Sequence, residues 1–143
     1  MKSTLLQLSL CFLLLLGACS KESVIPEEKQ PSSIKEYVER HFPDLAILQV
    51  VKDRDGLGIT YEVTLEDSFY LEFNRKGEVK EIKGATRLPD SAVPEKVLSY
   101  VNEKYPDRFI RSWELDDNRQ EVTLDNGLEL VFSKDGDFLR IDT

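Results

Sequence analysis

Cysteine, histidine and tryptophan are scarce in this chain of 143 residues, which contains two, one and one of them, respectively. Both cysteines, Cys11 and Cys19, lie close to the N-terminus, so the rest of the chain cannot form a disulfide and offers no thiolate pair to zinc. The single histidine, His41, is accompanied by no G-x-S-x-G element that would supply the nucleophile of a hydrolytic triad. We therefore predict that the protein is not an enzyme and that it holds neither a metal nor another cofactor.

Positive charge is also in short supply. The chain has 27 acidic residues against 19 lysines and arginines, which gives a net charge of −8 at pH 7, and no basic run is present. Nucleic acids and anionic membrane surfaces attract cationic proteins. We therefore expect no nucleic-acid partner.

Two short acidic stretches superficially resemble calcium-binding loops. They are Asp53, Asp55 and Gly56 in the first half of the chain and residues 116–118 in the second. Neither stretch has ligands at alternate positions followed by the glutamate that closes an EF-hand loop. We interpret both stretches as hairpin turns and predict no metal site.

The first 19 residues have the organisation of a bacterial lipoprotein signal peptide. Lys2 precedes a mainly apolar run over 5–16, which is shorter than the roughly 20 residues that a transmembrane helix needs. The sequence Leu-Gly-Ala-Cys at 16–19 resembles the lipobox, in which the thiol receives a diacylglyceryl group. We predict that residues 1–18 are removed and that acylated Cys19 anchors the protein to a lipid bilayer. An ordinary secretory signal is the alternative.

Residues 19–33 are predicted to form the lipidated N-terminus and a flexible tether. The stretch from 21 to 33 is polar, contains two prolines and lacks apolar periodicity. Ser20 rather than aspartate follows Cys19, so the simplest inner-membrane retention signal is absent. We expect a lipid-anchored protein of the cell envelope, with the outer membrane favoured. The sequence leaves open whether it faces the periplasm or the exterior.

An internal repeat organises the rest of the chain. The apolar pattern of 34–42 recurs 63 residues later at 97–105 with the spacing i, i+3, i+4, and a proline follows each copy, which predicts two helices. Alternating apolar residues at 61–73 recur 59 residues later and predict antiparallel strands. The change of offset is assigned to the turn at 53–58. The predicted repeats are 34–86 and 91–143.

The order of these elements predicts an α+β fold. Each repeat is expected to be a helix followed by three or four antiparallel strands. Because one repeat of about 50 residues would bury too little apolar surface to be stable alone, we expect both repeats to form one sheet. Both helices would lie on one face of that sheet, and the other face would be open.

Two helix ends and several strand-and-turn units carry a family resemblance. The helix ends are Phe-Pro-Asp at 42–44 and Tyr-Pro-Asp at 105–107, and the strand units lie at 61–65, 121–127 and 130–138. Over nearly all of 34–143 the chain resembles the PepSY-like or beta-lactamase-inhibitor-like (BLIP-like) lipoproteins of Bacteroidota. The resemblance implies two helix-plus-sheet repeats and an exported setting, but it fixes no partner and no binding residue.

The leading functional hypothesis is a binding module that inhibits or regulates an exported enzyme through the open sheet face. The alternative is a structural or assembly lipoprotein that binds envelope polymers such as glycan, and a third is an enzyme with an unrecognised site. Tyr70 and Trp113 are the candidate contacts with a protein partner, because aromatic rings are effective anchors. Alternation places the neighbouring Tyr61 and Phe69 in the core.

Overall fold

The computed structural model describes residues 21–55 and 58–142 and confirms the predicted α+β class. The two helices are α1, Ser32–His41, and α2, Glu95–Lys104. The described residues form one nine-stranded antiparallel sheet in which every strand pairs with the next strand along the chain. The strands are β1 Ser23–Val24, β2 Ile47–Asp55, β3 Gly58–Leu65, β4 Tyr70–Asn74, β5 Val79–Lys83, β6 Ile110–Asp116, β7 Arg119–Leu124, β8 Glu129–Ser133 and β9 Phe138–Asp142. The predicted signal peptide and Cys19 lie outside the described residues.

Prolines and aromatic residues define both helices. Pro31 and Pro94 occupy the N-cap positions with φ of −57° and −55°, and such values already suit the first helical turn. At the other end, Phe42 and Tyr105 leave the helical region with φ of −134° and −133°, since each is followed by a proline that disfavours helical backbone at the preceding residue. The sequence therefore sets each helix at ten residues.

An apolar row crosses seven strands on one face of the sheet. Its members pair directly across neighbouring strands, and all of them are buried. Four buried helix residues, Ile34 and Val38 from α1 with Val97 and Val101 from α2, belong to the same core cluster. Burying each aliphatic side chain contributes about 1.5 to 3 kcal/mol. In strand order the apolar row is Val50, Val63, Leu71, Ile82, Trp113, Val122 and Leu130.

The segment assigned to the flexible tether is more ordered than predicted. Residues 23–24 form β1 against β2, the Ile25 N–H donates to the Val50 carbonyl over 2.9 Å, and Ile25 packs against the core. Most of this segment is polar, so the sequence pattern did not reveal that Val24 and Ile25 pair with β2. A short ladder and one packed side chain are enough to hold the segment on the sheet edge.

Candidate functional site

Five glutamates lie in a second row, on the sheet face opposite the apolar row. Glu62 pairs with Glu72, Glu72 with Glu81, Glu81 with Glu114, and Glu114 with Glu121. Each one precedes or follows a member of the apolar row in the chain, so alternation turns its side chain to the other face. Direct partners in an antiparallel sheet have β carbons about 4.5 to 5.5 Å apart. We call these five residues the glutamate row.

Negative charge accumulates along the glutamate row. The pKa of Glu72 is raised by partial burial and then by the charges of Glu81 and Glu62. The pKa of Glu114 is raised by partial burial and then by the charges of Glu81 and Glu121. Because like charges placed directly opposite one another are destabilising, the ionised row lowers the stability of the fold.

Two cations offset part of this charge. Lys83 forms an ion pair with Glu81, and Arg119 Nε lies 3.2 Å from the Glu121 carboxylate. The two basic side chains are about half exposed, at 59% and 47%, and exposed pairs of this kind contribute only about 0 to 1 kcal/mol. Within the described residues, Glu62, Glu72 and Glu114 form no ion pair. The charge of Lys83 acts against the upward shift in the pKa of Glu72 and Glu114, but both shifts remain upward, so the centre of the acidic face is only partly compensated.

Tyr70 lies beside the glutamate row. It pairs with Thr64 and Lys83, and its phenol hydrogen-bonds to the Glu72 carboxylate. The pKa of Tyr70 is raised by burial and then by the charges of Glu62, Glu72 and Glu81. The phenol is therefore neutral and can donate a hydrogen bond throughout the physiological pH range. Of the two aromatic candidates from the sequence, this one lies on the acidic face.

Trp113 lies in the core instead, which corrects the expectation that its ring would meet a partner. The residue is 5% exposed and belongs to the apolar row. Its indole Nε1–H donates to the Gln120 Oε1 over 2.9 Å, and Gln120 is itself only 5% exposed. Buried tryptophans commonly find such a partner for the N–H. Trp113 is thus a packing residue that joins β6 to β7.

His41, the last residue of α1, makes contacts that hold parts of the fold together. Its Nδ1 lies 2.9 Å from the Ser91 Oγ, and its ring centroid lies 4.4 Å from that of Tyr37. The pKa of His41 is lowered by burial and then by the nearby charge of Arg40. The imidazole is therefore neutral at pH 7. Its hydrogen bond links α1 to the short helical turn at Asp90–Ala92.

The two acidic stretches occupy strand ends. Asp53 lies within β2, where it pairs with Thr60, so the strand extends further than the predicted turn allowed. Asp116 pairs with Arg119 across the β6–β7 hairpin, and residues 117–118 form the turn, as predicted. In the described part of the chain, no three His, Cys, Asp or Glu side chains are grouped so that they could hold a metal ion.

A cavity of about 560 Å³ lies at the β1 edge of the sheet. It is lined by the segment 24–30, by α1 and by the first half of β2. Val24 and Leu48 are strongly exposed here, at 64% and 63%. The Oε1 of Gln30 is buried without a hydrogen-bond partner. The β1 edge, with this cavity and its exposed apolar side chains, is thus a surface feature separate from the glutamate row.

These features define a class of small α+β proteins in which an antiparallel sheet carries an apolar row on one face and charge on the other. The chain belongs to the family described as "Putative beta-lactamase-inhibitor-like, PepSY-like". The family model matches residues 18–79 and 59–140, which together span most of the chain. The family predicted from the helix ends and strand units is thus confirmed.

Solved structures with the same fold come from Bacteroides. A candidate calcium-regulated periplasmic protein of Bacteroides thetaiotaomicron is 28% identical with a TM-score of 0.80, and the match covers 85% of this chain and 97% of that one. A periplasmic protein of the DUF2874 family from Bacteroides vulgatus gives 28% and 0.79 with the same coverage. A periplasmic protein of unknown function from Bacteroides vulgatus gives 28% and 0.80, with 86% and 100% covered.

Curated proteins give no match to this chain. In the parts of the chain that the structure describes, no helix has the length and apolar character needed to cross a membrane.

Proposed function

We propose that this protein is a non-enzymatic binding module of the bacterial cell envelope. Its acidic sheet face, with the glutamate row and Tyr70, would contact a protein partner and thereby inhibit or regulate an exported enzyme. The glutamate row carries this proposal, because it lowers stability and has few internal counterions. Complementary charge across an interface gives specificity and speeds association. The family description and the periplasmic relatives are in keeping with such a role.

We further propose that the fold is a tandem duplication with both helices on the face opposite the glutamate row. Equivalent ring contacts support this arrangement. Tyr37 of α1 packs against Phe73 with centroids 5.4 Å apart, and Tyr100 of α2 packs against Phe132 at the same distance. The two tyrosines are 63 residues apart and the two phenylalanines 59 apart, which are the offsets of the sequence repeat.

Equivalent backbone contacts also support the duplication. The Ala46 N–H donates to the Glu66 carboxylate over 3.0 Å, and the Phe109 N–H donates to the Asp125 carboxylate over 3.2 Å. The backbone N–H groups of the same two acidic residues donate back to the carbonyls of Ala46 and Phe109. Boundaries near 34–86 and 91–143 fit these pairs.

We propose that residues 1–18 are removed and that acylated Cys19 holds the domain on the envelope, with the outer membrane favoured. The lipobox-like sequence at 16–19 supports the anchor. The test is the mass of the mature N-terminus and the membrane fractionation of a Cys19→Ser variant. A mature N-terminus without lipid would contradict the anchor.

The alternative of an envelope-polymer binder is less well supported. Glycan platforms are usually built from exposed aromatic rings, which stack on sugars. Among the described residues, however, the exposed large apolar side chains are Val24, Leu48, Leu139 and Ile141, which are all aliphatic. We therefore favour a protein partner.

Cross-linking in native cells, followed by purification and mass spectrometry, tests the binding role. We expect one exported protein to be enriched by the wild-type chain and its activity to fall when the purified domain is added. The capture is repeated with and without added calcium ions, because one relative is described as calcium-regulated. If no exported protein exceeds the control at either condition, the proposed function is wrong.

A further inference from the structure

The glutamate row has a defined length and defined ends. It crosses the five adjacent strands β3 to β7, and neighbouring strands lie about 4.8 Å apart, so the row is about 19 Å long. Beyond Glu62 the next residue in the row is Val51, and beyond Glu121 it is Val131. Val51 is half-buried, whereas Val131 is fully buried, so the acidic line presented across the strands has an accessible apolar neighbour at its Glu62 end.

Only some partners can place a positive charge opposite every carboxylate of such a line. Side chains along one stripe of an α-helix recur with each turn, about every 5.4 Å. Side chains on one face of an extended strand recur about every 6.7 Å. Over four intervals a helix stripe drifts from the row by about 2.4 Å, whereas a strand drifts by about 7.6 Å. Flexible lysine or arginine side chains can bridge the smaller offset of the helix stripe, but they cannot bridge the larger offset of the strand.

We propose that the partner of the acidic face presents an α-helix whose stripe of lysine or arginine residues lies along the glutamate row, perpendicular to the strands. This inference rests on the proposed function and specifies the chemistry of the partner. Charge complementarity identifies the occupant, because Glu62, Glu72 and Glu114 have no ion-pair partner among the described residues. Val51, which is half-buried, would meet an apolar side chain at the Glu62 end of the stripe.

The flanking groups are in keeping with this orientation. Tyr70, which hydrogen-bonds to Glu72, adds a rigid amphipathic ring beside the row, of the kind that anchors protein contacts. Lys83 and Arg119 already neutralise Glu81 and Glu121 in part. The strongest attraction is therefore expected at the remaining three glutamates.

Two synthetic peptides of identical composition test the proposal. Both are alanine-rich helices with four lysines, which form one stripe in the first peptide and are dispersed around the helix in the second. We expect the stripe peptide to bind the wild-type chain about tenfold more tightly at low salt. Binding is measured by fluorescence anisotropy, with peptide helicity checked by circular dichroism. Equal affinity for the two peptides would overturn the proposal.

Charge-matched variants locate the interaction. The triple variant Glu62→Gln, Glu72→Gln, Glu114→Gln should lose the preference for the stripe peptide. The control replaces three exposed helix glutamates and has the same net charge, so it should keep the preference. A triple variant that retains the preference would overturn the proposal. The control variant is Glu36→Gln, Glu39→Gln, Glu103→Gln.

The cellular capture separates this proposal from the function on which it rests. If the wild-type chain and the triple glutamate variant capture the same exported protein equally well, the basic-helix inference and the assignment of the contact to the acidic face are wrong, while the role as a binding module stands. If the wild-type chain captures no exported protein, the proposed function is wrong and the inference falls with it.

Discussion

Neutralising Glu72 should stabilise the protein at neutral pH. The residue stands directly between Glu62 and Glu81, and each like-charge pair opposes folding by about 0.2 to 1 kcal/mol. Partial exposure screens these charges, so the expected gain for Glu72→Gln is about 0.5 to 1 kcal/mol. This corresponds to a rise in Tm of about 2 to 5 °C. The glutamine carbonyl can still accept the hydrogen bond from Tyr70.

The gain should depend on pH in a defined direction. Because the pKa of Glu72 is raised above its usual value of 4.5, the folded state binds more protons than the unfolded state just above pH 4.5. The penalty of the ionised carboxylate is therefore complete above the raised pKa and disappears as the pH falls towards and below 4.5. The advantage of Glu72→Gln should vanish over the same interval.

Urea unfolding followed by far-UV circular dichroism measures the effect at neutral and acidic pH and at two salt concentrations. Raising the salt to about 1 M shortens the screening length to about 3 Å and should reduce the gain. Glu36→Gln on α1 is the control, because Glu36 is exposed and lies outside the row. Lower stability of Glu72→Gln at pH 7, or a gain independent of salt, would refute the reasoning.

Three further predictions concern the core, a turn and the histidine. Trp113→Phe should lower the free energy of unfolding by about 1 to 3 kcal/mol, because the buried Gln120 loses its donor; unchanged stability in urea would contradict this. Gly136→Ala should lose more stability in the same assay than Gly127→Ala. Both glycines have φ of +84°, which costs about 1 to 2 kcal/mol for alanine, but only at 136 would the β carbon lie 3.1 Å from an α2 side chain. Equal losses would show that this contact is unimportant. Because the pKa of His41 is lowered, the stability that this residue contributes is present above pH 6.5 and falls as the pH drops towards the folded-state pKa. The free energy of unfolding of His41→Asn should therefore change less with pH than that of the wild-type chain. Parallel pH curves for the two proteins would exclude this contribution.

Local patterns were sufficient to predict the helices and most of the strands. The spacing of Ile34 and Val38 in α1, with a proline after Phe42, predicts a helix that ends next to Phe42 without reference to the rest of the chain. Alternation at 61–65 and 122–124 likewise gives strand segments with the observed buried face. Such signals depend on neighbours within a few positions, so they survive without tertiary information.

The candidate site was not predictable in the same way. Glu62, Glu72, Glu81, Glu114 and Glu121 are spread over 60 positions of the chain, and nothing local distinguishes them from the other acidic residues. A shift of one residue in any pairing would move a glutamate to the other face. The glutamate row forms only because each of the four strand pairings from β3 to β7 has the register that places one glutamate opposite the next.

Trp113 illustrates the same limit for a single residue. Its sequence neighbours Ser112 and Glu114 are polar, so an exposed aromatic contact was a reasonable interpretation. The pairing of Trp113 with Ile82 on one side and Val122 on the other places it in the apolar row.

The sequence by itself determined the family, the α+β class and the positions of the two helices, because these follow from short-range spacing and from the residues that end each helix. Only the tertiary structure decided which side chains stand next to one another across the sheet. Strand register is a property of pairs of distant segments, and it brings five separate carboxylates into one charged row while it buries the only tryptophan.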